Sequence, residues 1–256
     1  MAGLGPLDVA ALAGLAFATS ILSAVIGMAG GLVLLSAMLL YMEPLQAIPV
    51  HAAVQLISNA SRTIVQREHV EWKLVAWYAA PLLPAGALGI GVVYALPPDL
   101  LQAAIGGFVL VATWRPSWLL FGQRLGGATG PRFAALGAVI GFLGVLVGAV
   151  GMLLGPFFLP LGLPRQSVIG TQACMQSLGH LAKLALFGAA GFALGEHALL
   201  LLLLAPSAIA GTWTGSQLLD RVPERVFVVL YRSVLTLLAL RLVVVDGAAA
   251  LARLAG

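Results

Sequence analysis

Apolar segments of about twenty residues recur along the whole chain and are separated by short polar or glycine-rich stretches. A helix needs about 20 apolar residues to cross the ~30 Å hydrocarbon layer of a bilayer. Only 9% of the 256 residues are charged, whereas soluble domains carry about 25%. The run from Ala198 to Ala205 (ALLLLLLA) lacks the alternation of a membrane β-strand. The sequence therefore predicts an all-α, polytopic helical membrane protein.

Ten apolar segments can be distinguished, and two of them are too short to cross a membrane. At about 1.5 Å per residue, Leu32 to Tyr41 and Leu153 to Leu163 would reach only half-way across the hydrocarbon layer. Each short segment follows a glycine-rich break, Gly27 to Gly31 in one case and Gly148 to Gly151 in the other. We therefore expect about eight membrane segments, including glycine-broken or re-entrant helices.

The region around the first break matches the region around the second. Positions 27–62 align without gaps with positions 148–183, at an offset of 121 residues and with seven identities. We predict a first repeat at 1–114, a polar linker loop at 115–131 and a second repeat at 132–256, all within one transmembrane domain. Paired helix breaks in an internally duplicated membrane protein are typical of transporters.

Scarce polar residues also match between the repeats, at positions i, i+4, i+8 and i+11, which form one stripe on a helix. A basic residue at the centre of a membrane helix costs about 2.5 to 3.5 kcal/mol, so such a stripe must face the bundle interior or water. We expect Lys183, which lies within an apolar segment, to face inward. For Arg62, an inward position and a snorkelling position at the helix end remain equally open. The stripes are His51, Gln55, Asn59 and Arg62 in the first repeat and Gln172, Gln176, His180 and Lys183 in the second.

The breaks and the stripes together predict one site near the membrane midplane. Backbone N–H groups after each break would open a half-helix whose positive end faces an anion. Close helix packing through small residues is the alternative interpretation of the glycines, and interhelical hydrogen bonding is the alternative for the amides and histidines. As functional groups, the amides would donate to oxyanion oxygens and a histidine would carry a proton. The predicted substrate-binding residues are Gly30, Gly31, His51, Gln55, Asn59, Arg62, Gly151, Gln172, Gln176, His180 and Lys183.

The sequence lacks the residues that cation transport, metal binding or hydrolysis would require. The nine acidic residues lie mostly at helix ends, so anion transport is favoured over a cation pathway. The basic residues lie largely between apolar segments, as membrane orientation signals do. The single Cys174 argues against a cysteine-based metal site, and no Walker A loop or hydrolase elbow is present. We expect no enzyme activity, cofactor, metal or nucleic-acid partner; the expected partners are a small anion and the lipid bilayer, with a homodimer as a possible assembly.

The pattern resembles the TauE/SafE-type sulfite exporter family, a family of membrane anion permeases. The resemblance is carried by the Gly-x-x-Gly-Gly break at 27–31, the short apolar helix that ends near Pro44, the amide-bearing helix after it, and the same pattern after 148. It implies secondary export of sulfite, sulfoacetate or other organosulfonates, driven by the proton gradient across a bacterial plasma (inner) membrane. It also implies that Gly27, Gly30, Gly31, Gly148 and Gly151 line the site with the polar residues of the two following helices.

Two other functions stay open at this point. The chain could be a transport-inactive membrane assembly or sensing subunit whose polar stripes are structural. A membrane-embedded enzyme is a third interpretation, although two histidines without carboxylate partners make a poor catalytic group. The basic loops Arg62 to Lys73 and Arg115 to Arg132 are the strongest candidates for the cytoplasmic side. The charges of the second half do not decide between inverted and parallel repeats.

Overall fold

The regular structure of this chain is helical. A computed structural model describes residues 5–26, 30–115, 118, 129–218 and 224–255, and these ranges contain helices and no strand. The predicted all-α class is therefore confirmed. Gly27 and most of the linker predicted at 115–131 lie outside the described residues, and the last three linker positions, 129–131, belong to a helix.

The helices of the described ranges do not confirm the predicted count of about eight membrane segments. Their main difference from the prediction is at the second break, described below. They are α1 (Pro6–Ile26), α2 (Gly30–Met38), α3 (Pro44–Val65), α4 (Trp72–Ala95), α5 (Pro98–Trp114), α6 (Thr129–Val147), α7 (Gly155–Phe158), α8 (Arg165–Ala189), α9 (Ala198–Leu218), α10 (Glu224–Arg241) and α11 (Gly247–Ala255).

Polar side chains lie inside this bundle, and large apolar side chains lie outside it. His51 and Asn59 are fully buried, and Lys183 is 5% exposed. In contrast, Leu88 and Leu202 are 73% and 69% exposed. A soluble protein does not expose apolar side chains in this way over several helices. The distribution is that expected when lipid, not water, surrounds the bundle.

Within the part of the chain that the structure describes, four helical stretches are long and apolar enough to cross a membrane: Trp72–Ala95, Thr129–Val147, Leu194–Gly215 and Leu235–Arg253. Helices α3 and α8 are as long, with 22 and 25 residues, but their polar stripes make them less apolar. Both are packed within the bundle, where α3 contacts α8. Helix α3 also contacts α9, and α8 also contacts α4 and α6. The outer helices therefore present the apolar surface, and α3 and α8 provide a polar interior.

Helices α3 and α8 pack side by side in opposite directions. His51, near the start of α3, lies against His180 in the second half of α8, with ring centroids 5.8 Å apart. Beyond the end of α3, the Glu71 backbone N–H donates to Thr171 Oγ1, near the start of α8, over 2.9 Å. The two polar stripes therefore run antiparallel along one contact, and their central residues meet.

Glycines bring the backbones of α4 and α6 together. A Cβ at Gly137 would collide with the Tyr78 carbonyl oxygen, and one at Gly141 would collide with the Leu82 carbonyl. Further along, a Cβ at Gly89 would lie 2.7 Å from the Phe142 carbonyl oxygen. The paired positions increase together, so α4 and α6 are parallel. Small residues at such contacts let membrane helices approach closely.

The second break is less regular than the sequence predicts. Leu153 to Leu163 was expected to form one short helix, like α2, but the structure has the four-residue α7 between the 3-10 turns Gly151–Leu153 and Leu159–Leu161. Gly148 adopts a φ of +81°, the left-handed region that glycine tolerates best. Pro156 and Pro160 remove backbone donors from this stretch. The two breaks therefore differ, and only α2 forms a helix of two turns.

We predict that Gly137→Ala destabilises the protein by about 1 to 3 kcal/mol, because its methyl group meets backbone and the helices must separate. Thermal unfolding in detergent measures this change. Gly91→Ala is the matched control. Gly91 lies on α4, the partner helix of α6, and a Cβ at this position meets no atom within 4 Å. Equal melting temperatures for both variants would contradict the proposed close contact.

Candidate functional site

A narrow cavity lies between α3, α8 and the two breaks. It encloses about 370 Å³ of space between atoms, including its open side. One wall comes from the first turn of α2, the opposite wall from the 3-10 turn of the second break, and the sides from the polar stripes. The lining residues are Gly31, Leu32, His51, Gln55, Arg62, Ala149, Gly151, Met152, Gln176 and His180.

Each break contacts a glutamine of the helix that follows it. A Cβ at Gly31 would collide with the amide nitrogen of Gln55, and a Cβ at Gly151 would collide with the amide oxygen of Gln176. Gln55 and Gln176 are the identical residues of the two stripes. The glycines therefore make room for two amide side chains in the wall of the cavity.

His51 is fixed by the first break. Its Nε2 lies 2.8 Å from the Gly31 carbonyl oxygen, which can only accept, so Nε2 carries the hydrogen of this bond. The Nδ1 atom is buried and has no hydrogen-bond partner among the described residues. In the neutral ring Nδ1 is an acceptor, so His51 lines the cavity with an acceptor that no described residue uses.

Arg62 and Asn59 form a chain of hydrogen bonds at the other end of the α3 stripe. Arg62 Nη2 donates to Asn59 Oδ1 over 2.6 Å, and Asn59 Nδ2 donates to the Gln55 carbonyl over 2.9 Å. Arg62 also lines the cavity. The two interpretations left open for Arg62 are thus separated: its side chain points to the cavity rather than away from the bundle.

Lys183 lies inside the bundle, as its sequence context predicts, and donates from Nζ to the Gly148 carbonyl oxygen. It lines a second cavity, which adjoins the first one at Gly151, Gln176 and His180. The left-handed turn at Gly148 aims this carbonyl at the lysine. The second break thus holds a basic side chain, whereas the first holds a histidine.

The structure brings most of the predicted site residues together. Gly31, His51, Gln55, Arg62, Gly151, Gln176 and His180 line the first cavity, and Lys183 lines the second. Asn59 supports Arg62, as described above. Gly30 and Gln172 are buried but lie outside the walls of both cavities.

Several wall residues were not predicted from the sequence. Leu32, Ala149 and Met152 are apolar, and apolar residues near a break carry no signal of their own in a chain that is 61% hydrophobic. Tyr78 of α4 lines the second cavity. A tyrosine near the start of a membrane helix usually lies at the membrane–water interface, so the sequence did not predict that Tyr78 would line a cavity.

The walls contain donors and basic groups but no acid. No aspartate or glutamate lines either cavity as described, and no group of three or more His, Cys, Asp or Glu residues suited to a metal ion occurs among the described residues. Gln176 Nε2 and His180 Nδ1 are buried without a hydrogen-bond partner in the described part of the chain. Buried amide N–H groups without partners cost about 1 to 3 kcal/mol each, so a bound acceptor would stabilise them.

We predict that Gly31→Ala and Gly151→Ala displace Gln55 and Gln176 without unfolding the protein, because the colliding atoms belong to flexible side chains. The melting temperature should fall by no more than a few degrees, which corresponds to about 1 kcal/mol. The resemblance implies that sulfite binds here, and we expect both variants to lose its stabilising effect in a thermal-shift experiment. Gly107→Ala is the control, because a Cβ at Gly107 meets no atom within 4 Å. An unchanged sulfite response in both site variants would contradict the role given to the glutamines.

Comparison with known proteins identifies a family. A family model described as "Sulfite exporter TauE/SafE" matches residues 12–242 of the 256-residue chain. No curated protein and no solved structure matches the chain. The match includes both breaks, both polar stripes and every wall residue of the two cavities. The protein is an integral membrane protein and belongs to the TauE/SafE sulfite exporter family.

Proposed function

We propose that the protein is a secondary transporter that exports small sulfur-containing anions from the bacterial cytoplasm across the inner membrane. The candidate substrates are sulfite, sulfoacetate and other organosulfonates. Family membership supports the transport of sulfite or related anions. The observation that carries the proposal is the convergence of buried N–H donors and basic side chains on two adjoining cavities whose described walls contain no carboxylate.

The chemistry of these walls suits an oxyanion. Sulfite and sulfonate headgroups carry several acceptor oxygens, and an anion that leaves water needs a new donor for each of them. Gln55 and Gln176 present amides, while Arg62 and Lys183 present basic groups. Hydrogen bonds in which one partner is charged are about twice as strong as neutral ones. The site can therefore replace hydration water without a metal or cofactor.

Helix directions support an inverted relation between the two repeats. The antiparallel pair α3 and α8 carries the two polar stripes that the predicted repeat makes equivalent, so an axis that exchanges these helices is perpendicular to both. The same exchange turns the α4–α6 contact into the α9–α1 contact, and both contacts are extensive. In inverted-repeat transporters the substrate site lies at the repeat interface, near the midplane. We place the anion between α3 and α8 for this reason.

The proton gradient is the proposed driving force, with His51 and His180 as the proton carriers. Their rings are 5.8 Å apart, and each has a buried Nδ1 without a described hydrogen-bond partner. No carboxylate lines the cavities as described, so a proton taken up here would be balanced by the bound anion instead of by a protein acid. This arrangement would link the loading of a proton to the loading of substrate.

The alternative is a transport-inactive assembly or sensing subunit in which the stripes only hold α3 and α8 together. One contact fits this role, because His51 of α3 lies against His180 of α8. However, Gln176 Nε2 has no described hydrogen-bond partner. An amide that served only as interhelical glue would be expected to use its donor group.

Lys183→Ala and Gln176→Ala should each lower sulfite flux into proteoliposomes by about 10-fold or more, since each removes a donor to a charged ligand. Initial rates with labelled sulfite measure the effect. Lys73→Ala and Gln217→Ala are matched controls on exposed side chains, and both should transport normally. Normal flux in both site variants would refute the site, and absence of flux in the wild type with any sulfur anion would favour the transport-inactive alternative.

The histidines should be needed for proton-driven transport but not for exchange. A sulfonate is the suitable probe, because it stays ionised across the pH range used. We expect His51→Gln with His180→Gln to abolish the acceleration of flux by an imposed pH gradient, whereas sulfonate exchange without a gradient persists. His69→Gln, on an exposed side chain, serves as the control. A pH gradient that still accelerates flux in the double variant would refute the proposed proton carriers.

A further inference from the structure

A tyrosine hydroxyl is buried in the bundle beside the proposed site. Tyr78 of α4 is 0% exposed, and its hydroxyl has no hydrogen-bond partner among the described residues. A buried hydroxyl without a partner destabilises a membrane protein, because hydrocarbon offers it neither donor nor acceptor. Phenylalanine would fill the same space without this cost. The hydroxyl therefore needs an explanation other than packing.

The position of Tyr78 gives that explanation. The residue lines the second cavity together with Gln176, His180 and Lys183. A Cβ at Gly179 would lie 3.4 Å from the hydroxyl oxygen, so the absence of a side chain at 179 leaves room beside it. Backbone contact holds the residue in place, because Gly137 of α6 packs directly on the Tyr78 carbonyl. The hydroxyl is thus presented to the cavity from a fixed helix.

Three hydrogen-bond donors, one from α4 and two from α8, therefore line the second cavity, which we call the chamber. Gln176 Nε2 and the Tyr78 hydroxyl are both buried and unpaired in the described residues, and Lys183 Nζ donates only to the Gly148 carbonyl, which leaves it further N–H groups. Acids are absent from the described walls of the chamber. Three donors around a space without an acid match the three oxygens of a sulfite or sulfonate headgroup.

We propose that this chamber is a second binding station for the anion, in which the Tyr78 hydroxyl donates a hydrogen bond to an oxygen of the substrate. The inference rests on the proposed transport function and adds a residue of α4 to it. The two stations share Gly151, Gln176 and His180. The anion passes from the station with Arg62 to the station with Lys183 while it keeps its contact with Gln176. A monatomic anion such as chloride, which cannot contact three separated donors through three oxygens, is selected against.

Tyr78→Phe tests this role, because it removes the hydroxyl and leaves the ring. A hydrogen bond to a charged group corresponds to a factor of about 10 to 100 in binding. We expect the KM for sulfite in proteoliposomes to rise by about that factor. The melting temperature without anion should be unchanged or higher, because a buried unpaired hydroxyl is lost. Inhibition of sulfite uptake by chloride should become stronger relative to inhibition by a sulfonate.

Tyr94→Phe is the matched control, since Tyr94 is also on α4 but is 45% exposed and packs against Phe187. It should transport with the wild-type KM. Gly179→Ala is a second test that keeps the tyrosine, because its methyl group enters the space beside the hydroxyl. We expect it to raise the KM for sulfite, whether or not Tyr78→Phe folds.

The outcomes separate this inference from the transport function itself. If Tyr78→Phe and Gly179→Ala both keep the wild-type KM while Lys183→Ala loses flux, the second station with its tyrosine is refuted and the transporter assignment stands. If the wild type moves no sulfur anion, both the function and the station fail. A raised KM in both Gly179→Ala and Tyr78→Phe supports the station.

Discussion

The contact between α3 and α8 is the constraint on which the structure depends. Two helices bring amides, histidines and basic side chains into a bundle whose outer surface is apolar, and lipid cannot satisfy any of these groups. They must therefore face each other or a cavity. Antiparallel packing places the centre of one stripe on the centre of the other, with His51 against His180. The remaining helices surround this polar contact, and their apolar faces separate it from the hydrocarbon.

The glycine breaks bring backbone carbonyl groups into contact with the polar side chains of the interior. Gly31 offers its carbonyl to His51, and Gly148 offers its carbonyl to Lys183. Broken helices are tolerated at membrane depth where protein or a water-filled cavity satisfies the exposed backbone. In both breaks a glycine carbonyl accepts a hydrogen bond from a side chain of a polar stripe. The side chain is a histidine at one break and a lysine at the other, so the two halves differ.

Much of the fold followed from the sequence, because helix length, apolar runs and proline or glycine interruptions are local properties. The membrane class and the all-helical fold were predicted correctly, whereas the count of about eight membrane segments is not confirmed. The stripes were also predicted, since a charged residue such as Lys183 within an apolar membrane segment is costly and usually has a function. Tyr78 was not predicted, because its role depends on how α4 packs against α6 and α8. The irregular second break was missed as well, although Pro156 and Pro160 marked it.

The fit of each break glycine against a glutamine also bears on how such a protein can change over time. Any side chain at position 31 collides with Gln55, and any at 151 collides with Gln176. A substitution at a glycine is therefore compatible with an intact site only after the glutamine has become shorter, and shortening the glutamine first removes a donor from the cavity. Neither single step is neutral. We therefore expect related proteins to keep or lose the glycine and the glutamine together, and a lineage that loses one of them to change its substrate.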